Sequence, residues 1–329
     1  MSPSGNRAAP CTTFALAAAS LLAACGSGIA PEPVGAGSGA LATPNGLAPN
    51  GLARNGLAQN GLAQNGLAQN GLARNGLSTA SFQKWFDADP ATSAAVMSYV
   101  VRCAAPAGKT YSFTSPTTGV TYSWSGALGL APGWAAGAAA NEAEQEVVSA
   151  CLAAHVNKYG MHVTISVLGQ GATGLAIPIG KRELTDFSQR EACFFGNLFA
   201  GEGIFVGLDH DIWDASMSSA RACAFDIFGV GPSADCPPIN NIGPCWLYCK
   251  PDPSGTWYAS CGLYVNGAWR TYLPITTRVQ PSDVYKCGDG TCQFTEQCGT
   301  GTIAASCLAD CGDCTAGTSG NKTTTASKK

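Results

Sequence analysis

The sequence predicts an α+β protein: a disulfide-stabilised head with short helices and antiparallel hairpins, followed by a small cysteine-rich loop module. Three observations predict it. Helix-start signals stand before runs of helical apolar spacing, as in Asn141 with Glu144. Aromatic and β-branched runs flank turn dipeptides, as at Asn266-Gly267. Fourteen cysteines beyond residue 25 fall into two even sets, eight between Cys103 and Cys261 and six between Cys287 and Cys314.

The chain begins with Arg7, an eleven-residue apolar core over 14–24 and small residues before Cys25, the pattern of an export signal. That core is too short to span a bilayer, which takes about 20 residues. Leu22-Ala23-Ala24-Cys25 resembles the lipobox of bacterial lipoproteins. The resemblance implies cleavage before Cys25, lipidation of that residue and attachment to the cell envelope, with more than one acyl chain for a durable anchor. Gly26 follows where an inner-membrane retention signal would carry Asp, which points to the outer membrane or cell surface. An exporting compartment also favours disulfides over free thiols.

From Asn45 an N-G-L unit recurs every five residues, at Asn50, Asn55, Asn60, Asn65, Asn70 and Asn75. A period of five fits neither a 3.6-residue helix nor a two-residue strand. It has a likeness to the pentapeptide-repeat solenoids, but Asn stands where those place a small residue. Residues 26–80 are therefore read as a flexible tether, with an r.m.s. reach of about 40 Å.

The head is expected over 81–280. Phe82, Trp85 and Phe86 share a helical face, and Asp89-Pro90 supplies an N-cap and first-turn proline for a helix burying Val96, Tyr99, Val100 and Cys103. Residues 110–124 read as two aromatic strands around a Pro/Gly turn, and the Gly-rich apolar stretch after Gly126 as a loop on the core. The helix opened by Asn141 is expected to reach Lys158, with His155 as a hydrogen-bonded core residue.

Residues 162–168 form a strand, and the loop from Gly169 to Gly174 is read as a hairpin connection, because Pro178 follows where a dinucleotide site needs a helix. Ser188 with Glu191 predicts a helix through Cys193, Phe194, Phe195, Leu198 and Phe199. A strand from Gly201 leads to Asp209, His210, Asp211 and Asp214, read as a solvated turn with Asp214 capping the next segment.

The disulfide candidates are Cys103, Cys151, Cys193, Cys223, Cys236, Cys245, Cys249 and Cys261 in the head. In the tail module they are Cys287, Cys292, Cys298, Cys307, Cys311 and Cys314. The tail module, 281–314, is too small to hold together without cross-links or a metal. Three disulfides are the reading, with zinc or thiol exchange at Cys311 and Cys314 as alternatives. Asp289, Glu296, Asp310 and Asp313 are candidate ligands for calcium there, beside turn-forming Asp. Residues 315–329 read as a disordered tail.

The CGDGTC run at Cys287, Glu296-Gln297-Cys298 and the run from Cys307 to Cys311 resemble the cysteine-rich modules of myxobacterial-type exported lipoproteins. The N-G-L repeat and the segment from Ala192 to Phe199 resemble parts of uncharacterised proteins of that kind. The resemblance implies location and architecture, and no activity.

A net charge of -3 with 12% charged residues gives no footprint for nucleic acid. No nucleotide site is expected either. The functional expectation is a non-enzymatic envelope lipoprotein whose head binds glycan, protein or another cell, with Trp246, Trp257, Tyr258, Tyr264 and Trp269 suited to stacking on sugars. The alternative is a secreted metal-assisted hydrolase using the cluster from Asp209 to Asp214, with His210, Asp211 and Asp214 as its catalytic candidates.

Overall fold

Two side-chain caps and a proline set the first helices. The computed structural model of the chain describes residues 42–45, 67–72, 74–156, 163–209, 231–232, 239–281 and 307–313. Thr79 accepts from the Phe82 amide to begin helix α3, Ala80–Ala88, and Asp89 accepts from the Thr92 amide to begin α4, Pro90–Ala104. Before them stand two single-turn helices, α1 (Leu67–Asn70) and α2 (Arg74–Leu77). The predicted apolar faces are the buried ones: Phe82 and Phe86 on α3, and Val96, Tyr99, Val100 and Cys103 on α4.

Phe82 and Phe86 pack on a two-stranded ribbon, β2 (Thr110–Thr114) and β3 (Thr121–Ser125), meeting Phe113 with ring centroids 5.0 and 4.8 Å away. The Trp124 indole nitrogen donates to the Ala94 carbonyl at 3.0 Å, so the ribbon is fixed to α4. The expected loop after Gly126 does lie on the core. It ends in a short helix, α5 (Pro132–Ala135), whose Trp134 is fully buried.

Helix α6, Glu142–Ala154, starts with the predicted capping box of Asn141 and Glu144. It ends earlier than expected, capped by His155, whose Nδ1 lies 2.8 Å from the Cys151 carbonyl oxygen. Lys158 lies outside the described residues.

The central element is a seven-stranded sheet ordered β1-β4-β12-β5-β6-β8-β7. Its strands are β1 (Ala42–Asn45), β4 (Val163–Gly169), β5 (Gln189–Asn197), β6 (Gly203–Leu208), β7 (Gly231–Pro232), β8 (Ile239–Pro244) and β12 (Ile275–Val279). All pairs are antiparallel except β6 with β8. The loop after β4 closes as a tight connection through the isolated pair Gln170 and Ala176, and no helix starts in the glycine run. Between that loop and β5 lies one short helix, α7 (Glu183–Asp186).

Strand β5 corrects the helix predicted from Ser188 and Glu191. Ala192 and Phe194 enter the core under the helices, while Cys193 and Phe195 enter a second core on the opposite face. A strand buried on both faces shows an unbroken apolar run, which periodicity alone does not separate from a buried helix. Its place between β12 and β6 in the ladder decided the outcome.

The second core lies beneath a three-stranded ribbon of β9 (Cys249–Pro251), β10 (Tyr258–Val265) and β11 (Ala268–Tyr272). Asn266 and Gly267 both take positive φ, 51° and 83°, the geometry of the predicted two-residue hairpin turn. The fold is thus helices, sheet and ribbon in three layers, which bears out the α+β class with disulfides. Cys103–Cys151 ties α4 to α6, Cys193–Cys245 ties β5 to the turn after β8, and Cys249–Cys261 ties β9 to β10. Cys307 and Cys311, at either end of the last short helix α8 (Leu308–Cys311) and its cap, are also disulfide-bonded.

Candidate functional site

Charged and aromatic groups converge where the start of α6 meets β11. An open cleft of about 450 Å³ is lined by Asn141, Glu142, Ala143 and Glu146 on one side and by Trp269, Arg270 and Thr271 on the other. The helical period sorts the acids of α6. Glu144 points inward and caps, accepting from the amides of Gly133 at 2.7 Å, Trp134 at 3.1 Å and Asn141 at 3.1 Å. Glu142 and Glu146, four apart, share the face that borders the cleft.

Arg270 organises the opposite wall. Its Nη2 pairs with Glu142 at 3.1 Å and with Glu202, a residue of the turn between β5 and β6. Glu146 accepts from the Leu273 amide at 3.2 Å, and burial pushes its carboxyl up to about 7, helped by the charges of Glu142 and Glu202. Behind Arg270, Glu202 Oε2 and the Tyr272 hydroxyl are buried side by side. Burial raises the Tyr272 hydroxyl above the ordinary tyrosine range, and the adjacent Glu202 raises it further.

The outer face of the ribbon continues the cleft. Tyr264 and Trp269 are directly opposed in the ladder and are 68% and 62% exposed, which makes them one aromatic step at the cleft's edge. A side chain at Gly262 would run into the Trp269 indole, so the glycine lets the ring lie flat over the backbone.

The predicted stacking residues therefore divide. Trp246 is 36% exposed, whereas Tyr258 is buried and belongs to a different network. Asp209, expected in a solvated turn, is fully buried. It accepts from Arg190 Nε at 2.9 Å and from the Tyr258 hydroxyl at 3.0 Å. Its carboxylate is engaged in holding the ribbon to the sheet rather than presented to solvent. His210, Asp211 and Asp214 lie outside the described residues.

Cys25, Cys223, Cys236, Cys287, Cys292, Cys298 and Cys314 also lie outside them, as do Asp289 and Glu296. Of the expected calcium ligands, only Asp310 and Asp313, in and just after α8, are described. Two groups place three potential metal-ligating atoms within 4.8 Å of one another: Cys103, Cys151 and His155, and Cys193, Cys249 and Cys261. Every sulfur in both is in a disulfide, so neither group offers a thiolate.

Sequence reasoning missed the cleft. Glu142, Glu202 and Arg270 are separated by dozens of residues, and only the capping box hinted that the start of α6 was well defined.

A family model described as GLTT repeat matches residues 46–73 in six copies. No curated protein and no solved structure matches the chain. No helix among the described residues is long and apolar enough to cross a membrane.

Proposed function

We propose that this is a lipid-anchored cell-envelope protein, held through Cys25 at the outer membrane or cell surface, whose head binds glycan without turning it over. The observation that carries the reading is the opposed, exposed pair Tyr264 and Trp269 beside a cleft of carboxylates and a guanidinium. A sugar ring offers an apolar face to an indole and hydroxyls to charged groups, so an aromatic step with Glu142 and Arg270 alongside matches both. The export signal, the lipobox-like Cys25 and the disulfides support the location.

The test is affinity electrophoresis of the disulfide-bonded protein through gels carrying envelope polysaccharides. Retardation is expected, and Trp269→Ala and Tyr264→Ala should each reduce it strongly. Equal mobility of wild type and both variants on every glycan removes this function.

A second reading, hydrolysis, now rests on Glu146 rather than on the residues from Asp209 to Asp214. A carboxyl held near 7 beside other carboxylates has the character of a general acid. Release of reducing ends by the wild type and not by Glu146→Gln would establish it. Binding without release by either would leave the binding function alone.

A further inference from the structure

Two disulfides of the second core touch each other. Cys193–Cys245 joins β5 to the turn after β8, a link within the sheet. Cys249–Cys261 joins directly opposed residues of β9 and β10, a link within the ribbon. Where the two layers meet, Cys249 Sγ lies 3.6 Å from Cys193 Sγ, and the sulfurs of Cys193, Cys249 and Cys261 all fall within 4.8 Å of one another.

The surrounding backbone makes room for this cluster. Gly207 faces Cys193 across the β5–β6 ladder, and a Cβ there would stand 2.9 Å from the Cys193 sulfur and 3.0 Å from that of Cys245. A thiolate breaks a disulfide by attacking one of its sulfurs and expelling the other. Reacting atoms held at about 3–3.5 Å are already placed for such a step, and Cys249 and Cys193 are close to that separation.

Neither sulfur is a thiolate while both bonds are intact, so exchange needs two electrons from outside. Cys249 is the point of entry. It is 6% exposed and begins β9, the three-residue edge strand of the ribbon, whereas Cys193, Cys245 and Cys261 are closed off.

We propose that this cluster is a redox-modification site, at which a dithiol reductant converts the two disulfides into one new bridge, Cys193–Cys249. One reductant thiolate attacks Cys249 Sγ and expels Cys261, and the second reductant thiol then releases Cys249 and closes the reductant's own disulfide. The Cys249 thiolate attacks Cys193 Sγ. The Cys193–Cys249 bond forms, the Cys193–Cys245 bond breaks, and Cys245 leaves as a thiolate that takes up a proton. The reductant has given up two electrons and two protons, and the protein holds one disulfide and two thiols. Entry at Cys193–Cys245 reaches the same product, because a Cys193 thiolate attacks Cys249 and expels Cys261.

The exchange changes what the bond connects. Two links inside layers give way to one between β5 and β9, so the ribbon stays clamped to the sheet after the core has lost one of its two disulfides.

The test is stepwise reduction of the native full chain with dithiothreitol, trapping of free thiols with N-ethylmaleimide, and disulfide mapping by mass after pepsin digestion. Cleavage within Trp246-Leu247-Tyr248 separates Cys245 from Cys249. The first species in which either bond has opened should carry a linked Cys193–Cys249 peptide pair, with labels on Cys245 and Cys261. A first species with one original bond intact and the other pair labelled, with all four cysteines labelled, or with any other pairing of the four would overturn the proposal. The wild-type chain serves throughout, so no folding defect of a variant enters the result.

Discussion

The two faces of the central sheet solve the same problem with different means. Under the helices, some forty buried residues form one continuous core, with Trp134, Phe82, Phe86 and Phe194 among its largest side chains and a single disulfide, Cys103–Cys151, inside it. Under the ribbon, a cluster of ten buried residues includes Cys193, Cys245, Cys249 and Cys261, all in disulfides. A small apolar cluster buries too little area to order a ribbon, and cross-links lower the entropy it must overcome. One buried polar group assists: Asp209 joins Arg190 on β5 to Tyr258 on β10.

The sharpest way to break this comparison uses the disulfides themselves. Cys103–Cys151 and Cys193–Cys245 close loops of almost equal length, with sequence separations of 48 and 52. Chain entropy therefore assigns each about 4 kcal/mol. Paired Cys→Ala variants should separate in urea unfolding, with the Cys193/Cys245 pair losing more because little apolar packing surrounds it. Equal losses would mean that the two faces do not differ in their reliance on cross-links.

Next in size is Asp209→Ala, expected to cost about 3 kcal/mol because it leaves Arg190 and the Tyr258 hydroxyl without the carboxylate they share. A circular dichroism melt within error of the wild type would show that the triad does not hold the ribbon.

A smaller effect is expected from Glu146. Its folded pKa of about 7 lies above its unfolded value, so the folded state holds the proton more tightly. That contribution favours folding at low pH and is lost as pH rises from about 4.5 to 7, on the order of 1 kcal/mol after allowance for solvent at the cleft. Glu146→Gln should flatten stability over that window and leave the protein more stable than wild type at pH 8. Unchanged pH dependence would place the carboxyl in a more hydrated setting.

Smallest of all is the stability change for Trp269→Ala, within about 0.5 kcal/mol for an exposed ribbon position. Loss of glycan retardation without loss of stability would assign binding to the outer face of the ribbon and leave its inner face a purely structural part.

Local chemistry was legible wherever a few neighbouring residues decide the backbone. The Asp89 cap, the Asn141 and Glu144 box and the Asn266-Gly267 turn all do what their side chains and φ preferences require. The segment from Gln189 to Asn197 was not legible in the same way. Its apolar residues serve two cores, and a helix and a doubly buried strand are written alike over so short a run. Asp209 looked exposed among acidic neighbours, and only the approach of β5 and β10 supplies the partners, Arg190 and Tyr258, that offset its burial.

The sequence by itself determined the class of the fold, the places where helices and hairpins begin, the abundance of disulfides and the five-residue repeat, because these depend on contacts within a few residues or on composition. Only the tertiary structure decided which cysteines pair, that Leu67, Leu72 and Leu77 of the repeat pack into the core, and that Glu142, Glu146, Glu202 and Arg270 meet at one cleft. Those outcomes depend on which distant surfaces are brought within a few ångströms, and sheet order and helix packing, not local propensity, set that.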